Sequence, residues 1–213
     1  MKKKLMRMPK VVTILVAILI VAIFLGSMDV AAFFLANTVS LPGYGNSMIA
    51  EFAAGVVAFL FLCLFGYVGI LKEKGKGFTN GLYIGGFLTG YCCLELAAQL
   101  YVQMMTPDTK VVSALEILFF AATMFLIGWT EELVFRGVIL NLFLERFSKT
   151  KRGILWAVIL SSVLFGAVHL TNISQGVTVT SAVIQAVNGA FLGVIFGAVY
   201  ARSGNIWLVM TFH

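Results

Sequence analysis

From Val11 to Leu35 the chain runs for 25 residues with Asp29 as its only charged side chain. A helix rising 1.5 Å per residue needs about 20 residues to cross the hydrocarbon of a bilayer, so this stretch alone is long enough to span. Similar runs recur, bounded by charge or by Gly and Pro. They divide the chain into seven candidate membrane segments, at residues 11–36, 48–71, 81–104, 112–145, 153–173 and 180–201, with a last one that opens near Asn205 and is unfinished at His213. Apolar residues make up 61% of the sequence and charged ones 11%. So much exposed Leu, Val and Phe finds a solvent only in lipid, which excludes a water-soluble globule and a disordered chain. The expected fold is all-α, a polytopic transmembrane helix bundle of about seven segments. Its fourth helix is too long for one straight crossing and has to tilt, kink or project.

The net charge of +6 does not call for nucleic acid, because the basic residues punctuate the apolar runs instead of lining one face. With a cytoplasmic amino terminus, 13 of the 15 Lys and Arg residues fall inside: Lys2, Lys3, Lys4, Arg7 and Lys10, then Lys72, Lys74 and Lys76, then Arg146, Lys149, Lys151 and Arg152, then Arg202. Such a bias sets membrane topology. Lys110 falls in an outside loop, and Arg136 lies within the fourth apolar segment. The first residues resemble a signal peptide, but the apolar run continues to Leu35 without a clear cleavage site and reads as an anchor. Cys63, Cys92 and Cys93 sit inside apolar runs, lack metal or redox spacing and read as packing residues. Gly189, Gly193 and Gly197 form a small-residue ridge, as do Gly86 and Gly90; such ridges let helices approach closely, so the sixth segment is expected to be a tightly packed interior helix.

An ionisable group inside a bilayer is costly, so each one is a candidate for function. Asp29, Glu51, Glu95 and Glu116 are lone carboxylates without an opposite charge one turn away, and read as structural. Asp29 and Glu51 are placed near the outer interface, Glu95 and Glu116 deeper. Glu131, Glu132 and Arg136 are different. Glu132 and Arg136 are four apart with the acid first, the favourable order for an ion pair, which leaves Glu131 in excess of pairing and about 100° around the helix. His169, with Phe165 one turn before it, lies at the same depth as Glu131 when residues are counted from the basic loop at 146–153, roughly 22 to 24 Å in. A carboxylate and an imidazole at one level can activate water. His213 counts to a shallower level, about 13 Å from the interface at Arg202.

Taken together these residues resemble the CPBP intramembrane proteases, a family that includes the type II CAAX prenyl endopeptidases and bacterial Abi or bacteriocin self-immunity proteins. The EExxxR element is similar to Glu131, Glu132 and Arg136, FxxxH to Phe165 and His169, and HxxxN to the stretch ending at His213. The resemblance divides the chain into amino-terminal helices without a motif at 1–110 and a CPBP-like core at 111–213 that is incomplete at its carboxyl end, since the family Asn would fall four residues after His213. It implies an intramembrane endopeptidase in which Glu131 and His169 activate water, His213 donates to the oxyanion, and Glu132, Arg136 and Phe165 support the site. It implies no cofactor; zinc is the less favoured alternative, because no HExxH is present. The implied partners are a peptide or membrane-protein substrate and the lipid bilayer of a bacterial cell membrane, with no nucleic acid. Prenylated CAAX peptides, bacteriocin leaders and membrane anchors are all family possibilities. A non-catalytic scaffold or immunity protein on the same fold, or a small proton or ion carrier using Glu95, Glu116 and Glu131 as relay groups, is the alternative.

Overall fold

A computed structural model describes residues 9–38, 41–106 and 113–213, without the side chains of residues 36, 37 and 103. Lys2, Lys3, Lys4, Arg7 and Lys110 lie outside the described residues. Helices account for the architecture: α1 (Lys10–Thr38), α2 (Gly45–Phe65), a 3-10 turn (Val68–Leu71), α3 (Phe78–Ile84), α4 (Gly86–Met105) and α5 (Ala114–Glu132). Then follow a π-helical segment (Leu133–Leu140), α6 (Asn141–Phe147), α7 (Lys151–Val168), a second 3-10 segment (His169–Gln175), α8 (Val179–Ser203) and α9 (Ile206–Phe212).

Among the described residues five helices are long and apolar enough to cross a membrane, and six if the bent pair α3 and α4 is one span. The last segment expected from sequence is represented by α9. It packs against α8, α5 and the bent pair. The pair turns by 86° because its glycines fit around α9. A Cβ at Gly81 would lie 2.5 Å from Leu208 and one at Gly85 2.6 Å from Phe212. The second segment also stops short of its expected end at 71. Gly66 takes the left-handed conformation (φ 72°) and caps α2, as glycine does at helix ends.

The fourth segment runs unbroken for 34 residues, Ala114–Phe147, and absorbs its length through the π segment. Every residue from Leu133 to Leu140 is buried, so the middle of this helix is the centre of the core, packed by Leu62, Phe143, Ile206 and Leu208. At its start Ser113 and Glu116 form a capping box, with Glu116 accepting from the Ser113 amide at 3.0 Å and hydroxyl at 2.8 Å. Glu116 is therefore a half-buried helix-start residue, not a deep carboxylate, because its charge serves the open amides of the first turn.

The outer surface is apolar, with Leu19 58%, Leu60 58% and Phe191 69% exposed, as a lipid-facing surface requires. Cys63, Cys92 and Cys93 belong to this exposed surface and are not packing residues. In lipid an exposed thiol loses nothing by facing the solvent. The ridge Gly189, Gly193 and Gly197 does meet α7, touching His169, Ser162 and Val158, although the opposite face of α8 is exposed. Gly86 and Gly90 have nothing within 4 Å and form no such seam.

The basic residues gather at one end of the bundle. Lys10, at the start of α1, lies over the Phe147 ring at the end of α6. The Lys72–Lys76 loop clasps the α8–α9 turn: the Lys76 amide donates to Ser203 at 2.8 Å, Asn205 Nδ2 to the Lys74 carbonyl at 3.3 Å, and Trp207 Nε1 to Leu71 at 3.0 Å. Gly75 has φ 50° and its Cβ position falls on the Ser203 carbonyl. Gly75→Ala is therefore expected to cost at least about 1 kcal/mol, read as a lower unfolding midpoint in detergent. An unchanged midpoint would show that the clasp does not hold α9.

Candidate active site

The site is built where α5 passes into the π segment. Glu131 and Glu132 end α5, and Arg136 falls within the following wide turn. A π segment displaces carbonyls from their usual helical donors and is often found at functional sites. Side chains here take up the displaced groups. Asn141 Nδ2 donates to the Arg136 and Gly137 carbonyls at 3.1 and 3.0 Å, and Ser161 Oγ to the Phe135 carbonyl at 3.1 Å.

Glu132 is fully buried, and its Oε1 accepts from Arg136 Nη1 at 2.6 Å, the ion pair that the i,i+4 spacing predicts. Arg136 is 1% exposed. It also donates to the Gly193 carbonyl of α8 at 3.3 Å and lies between two rings, 4.6 Å from the centre of Phe165 and 5.4 Å from Phe196. A guanidinium without water needs such partners, and the aromatic faces supply part of what solvent would have given.

His213 joins the two acids. Its Nδ1 is 2.9 Å from Glu132 Oε1 and its Nε2 is 3.3 Å from Glu131 Oε2. Ionised carboxylates only accept, so the ring is oriented as a donor at both nitrogens. Counting from Arg202 predicted a shallower position for His213. The origin of that count is what fails, because Ser203, Asn205 and Ile206 are themselves buried under the Lys72–Lys76 loop, so α9 starts inside the protein. Gly128 leaves the gap that the ring enters, since a Cβ there would lie 3.3 Å from His213 Cβ.

His169 is the first residue after α7. Its Nδ1 is 3.1 Å from the Phe165 carbonyl, which only accepts, so in that contact Nδ1 carries the proton and Nε2 is left for chemistry. Phe165 packs edge-on to His169, His213 and Phe135, at 5.4, 5.9 and 5.0 Å between ring centres. One buried ring thus separates the Arg136 pair from His169.

Glu131 and His169 line a single cavity of about 410 Å³. Its opposite wall comes from α1 and α2, through Phe24, Asp29 and Glu51, and its rim from the polar residues after α7, such as Asn172. His213 is not part of the lining. Sequence reasoning set Asp29 and Glu51 aside as structural carboxylates, yet both face this space. Glu51 is anchored there by the Thr130 hydroxyl, which donates to its carbonyl at 3.3 Å, and its Oε2 is shielded from solvent without a donor among the described residues. No sequence signal marks either acid, since both stand alone on helices without a motif and meet the site only through the packing of α1 and α2. The three relay carboxylates are not brought together: Glu95 accepts from Gln99 at 3.2 Å on an exposed surface, Glu116 caps α5, and neither lines the cavity.

Both His213 nitrogens face carboxylates and His169 Nδ1 faces a carbonyl, which leaves His169 Nε2 as the imidazole nitrogen without a partner among the described residues. Among the described residues no three His, Cys, Asp or Glu side chains converge as a ligand group.

Residues 113–213 match the family model described as Type II CAAX prenyl endopeptidase Rce1-like. The chain is also 26% identical over 199 residues to an uncharacterized 24.3 kDa protein of Escherichia coli, the alignment covering 86% of this chain and 84% of that one. No solved structure matches the chain.

Proposed function

Since residues 113–213 match the family model of the Rce1-like type II CAAX prenyl endopeptidases, we propose that this integral membrane protein hydrolyses a peptide bond with water activated by Glu131 and His169. The observation that carries this reading is the cavity that both side chains line. Glu131 takes a proton from water as the oxygen bonds to the peptide carbonyl carbon. The C–N bond then breaks, and the proton passes to the leaving nitrogen. His169 Nε2 is the second group able to hold the water or move the proton.

His213 lies behind Glu131, not in the cavity wall, so its reach to the reaction passes through the Glu131 carboxylate. It acts as a positioning residue that fixes Glu131 relative to Glu132. An oxyanion role for His213 follows from the family resemblance alone. Glu132, Arg136 and Phe165 support the site without touching the cavity.

The substrate class is a polypeptide segment, prenylated or not, entering past the polar rim. Purified protein in lipid nanodiscs is incubated with prenylated and unprenylated CAAX peptides and with a bacteriocin leader peptide, and products are read by mass spectrometry. Cleavage of at least one, lost in Glu131→Gln, is the expected result; cleavage that persists in that variant would sink the assignment. On this reading the water is activated without a metal, so dialysis against EDTA and 1,10-phenanthroline should leave turnover within about twofold of the untreated protein. Loss of turnover restored by added Zn²⁺ would mean a metal-dependent site.

A further inference from the structure

At the opposite, basic end of the bundle a second cavity of about 380 Å³ opens between the first turn of α1 and the α6–α7 turn. Its upper wall holds two cations, Lys10 and Arg152, with Thr150; its lower wall holds Ile14, Trp156 and Leu160. No carboxylate lines it. Neither cation has an ion-pair partner among the described residues, and the Lys10 ammonium lies 5.5 Å from the centre of the Phe147 ring. The turn that carries Arg152 is built and not loose. Thr150 accepts from the Gly153 amide at 3.0 Å, and a Cβ at Gly153 would fall on the Phe147 carbonyl.

The layering is what identifies a ligand. Charge sits at the starts of α1 and α7, and within one turn, about 5.4 Å, the wall becomes aliphatic and aromatic. Trp156, one turn after Arg152, is 56% exposed, and membrane proteins place aromatic belts next to such basic helix ends. A free anion would use only the upper half of this cavity, and an aliphatic chain only the lower half. We propose that it is a binding site for an anionic phospholipid, its phosphate held by Lys10 and Arg152 and an acyl chain laid against Ile14, Trp156 and Leu160. Basic crevices between membrane helices recognise lipid headgroups in this way, the guanidinium through paired hydrogen bonds to phosphate oxygens.

The test uses the full chain in a neutral detergent, titrated with dioleoyl phosphatidylglycerol, with dioleoyl phosphatidylcholine and with inorganic phosphate, and read by retention in native mass spectra and by the unfolding midpoint. One phosphatidylglycerol is expected to be retained per chain, about tenfold or more in preference to phosphatidylcholine, with no shift from inorganic phosphate at millimolar concentration. Lys10→Gln/Arg152→Gln should reduce the preference to within twofold. The control Lys74→Gln/Arg202→Gln, which removes two charges from the same end but not from this cavity, should leave it in place. Trp156→Ala should weaken both lipids alike. Equal retention of the two lipids, or equal loss in the control pair, would overturn the site in favour of diffuse surface charge. A response to inorganic phosphate that matches phosphatidylglycerol would overturn the lipid and leave a bare anion site.

Discussion

Glutamine in place of Glu131 lowers peptide-bond cleavage by about 10²- to 10⁴-fold, the usual range for removing a general base, and leaves the folded yield in detergent unchanged. Both halves of this expectation come from the geometry. Glu131 is 22% exposed, lines the cavity and has one close polar partner, His213 Nε2 at 3.3 Å. The amide keeps the volume and an acceptor oxygen for that ring, so the helix end has no reason to open. What it cannot do is take a proton from water. His169→Gln is expected to fall in the same range, and the Glu131→Gln/His169→Gln pair should be little worse than either single variant, because groups that act as a unit are not additive. Progress curves for the three variants, with size-exclusion profiles to confirm folding, provide the check. Turnover within threefold of wild type in either single variant would remove the mechanism.

The second large effect is on folding. Arg136→Met removes the guanidinium from Glu132, a carboxylate with no exposed surface, and breaking one side of a buried pair costs about 3 to 5 kcal/mol. Whole domains are stable by only about 5 to 15 kcal/mol, so the yield of monodisperse protein should drop steeply. His213 still faces Glu132 at 2.9 Å, which favours the lower end of that cost. The compensating variant Glu132→Gln/Arg136→Met removes both charges, and its unfolding midpoint should recover most of the loss. If the double variant is instead less stable than Arg136→Met alone, the Glu132 carboxylate stabilises the fold through His213 and not through Arg136.

Much of this was legible in the order of residues. The Glu132–Arg136 pair follows from a spacing of four and needs no neighbour helix to form. The gathering of basic residues at one end follows from alternating helices, and Gly189, Gly193 and Gly197 follow from the small-residue spacing that lets α7 and α8 touch. His213 was misplaced for a definite reason. A ruler along a helix gives depth only if its zero is at the membrane surface, and the α8–α9 turn is buried beneath a loop 131 residues earlier in the chain, where Asn205 reaches the Lys74 carbonyl.

Sequence by itself determined that the chain belongs in lipid as a helix bundle and which acid is left over after pairing, since hydropathy, charge and helical period are properties of neighbours in the chain. Only the tertiary structure decided what faces the leftover acid. Asp29 and Glu51 reach the cavity wall, and His213 reaches Glu131, through contacts between helices far apart in sequence, and in a bilayer those contacts are set by side-chain shape and small-residue clearance more than by any hydrophobic pattern. A pattern reports how a helix meets its solvent; shape decides how it meets another helix.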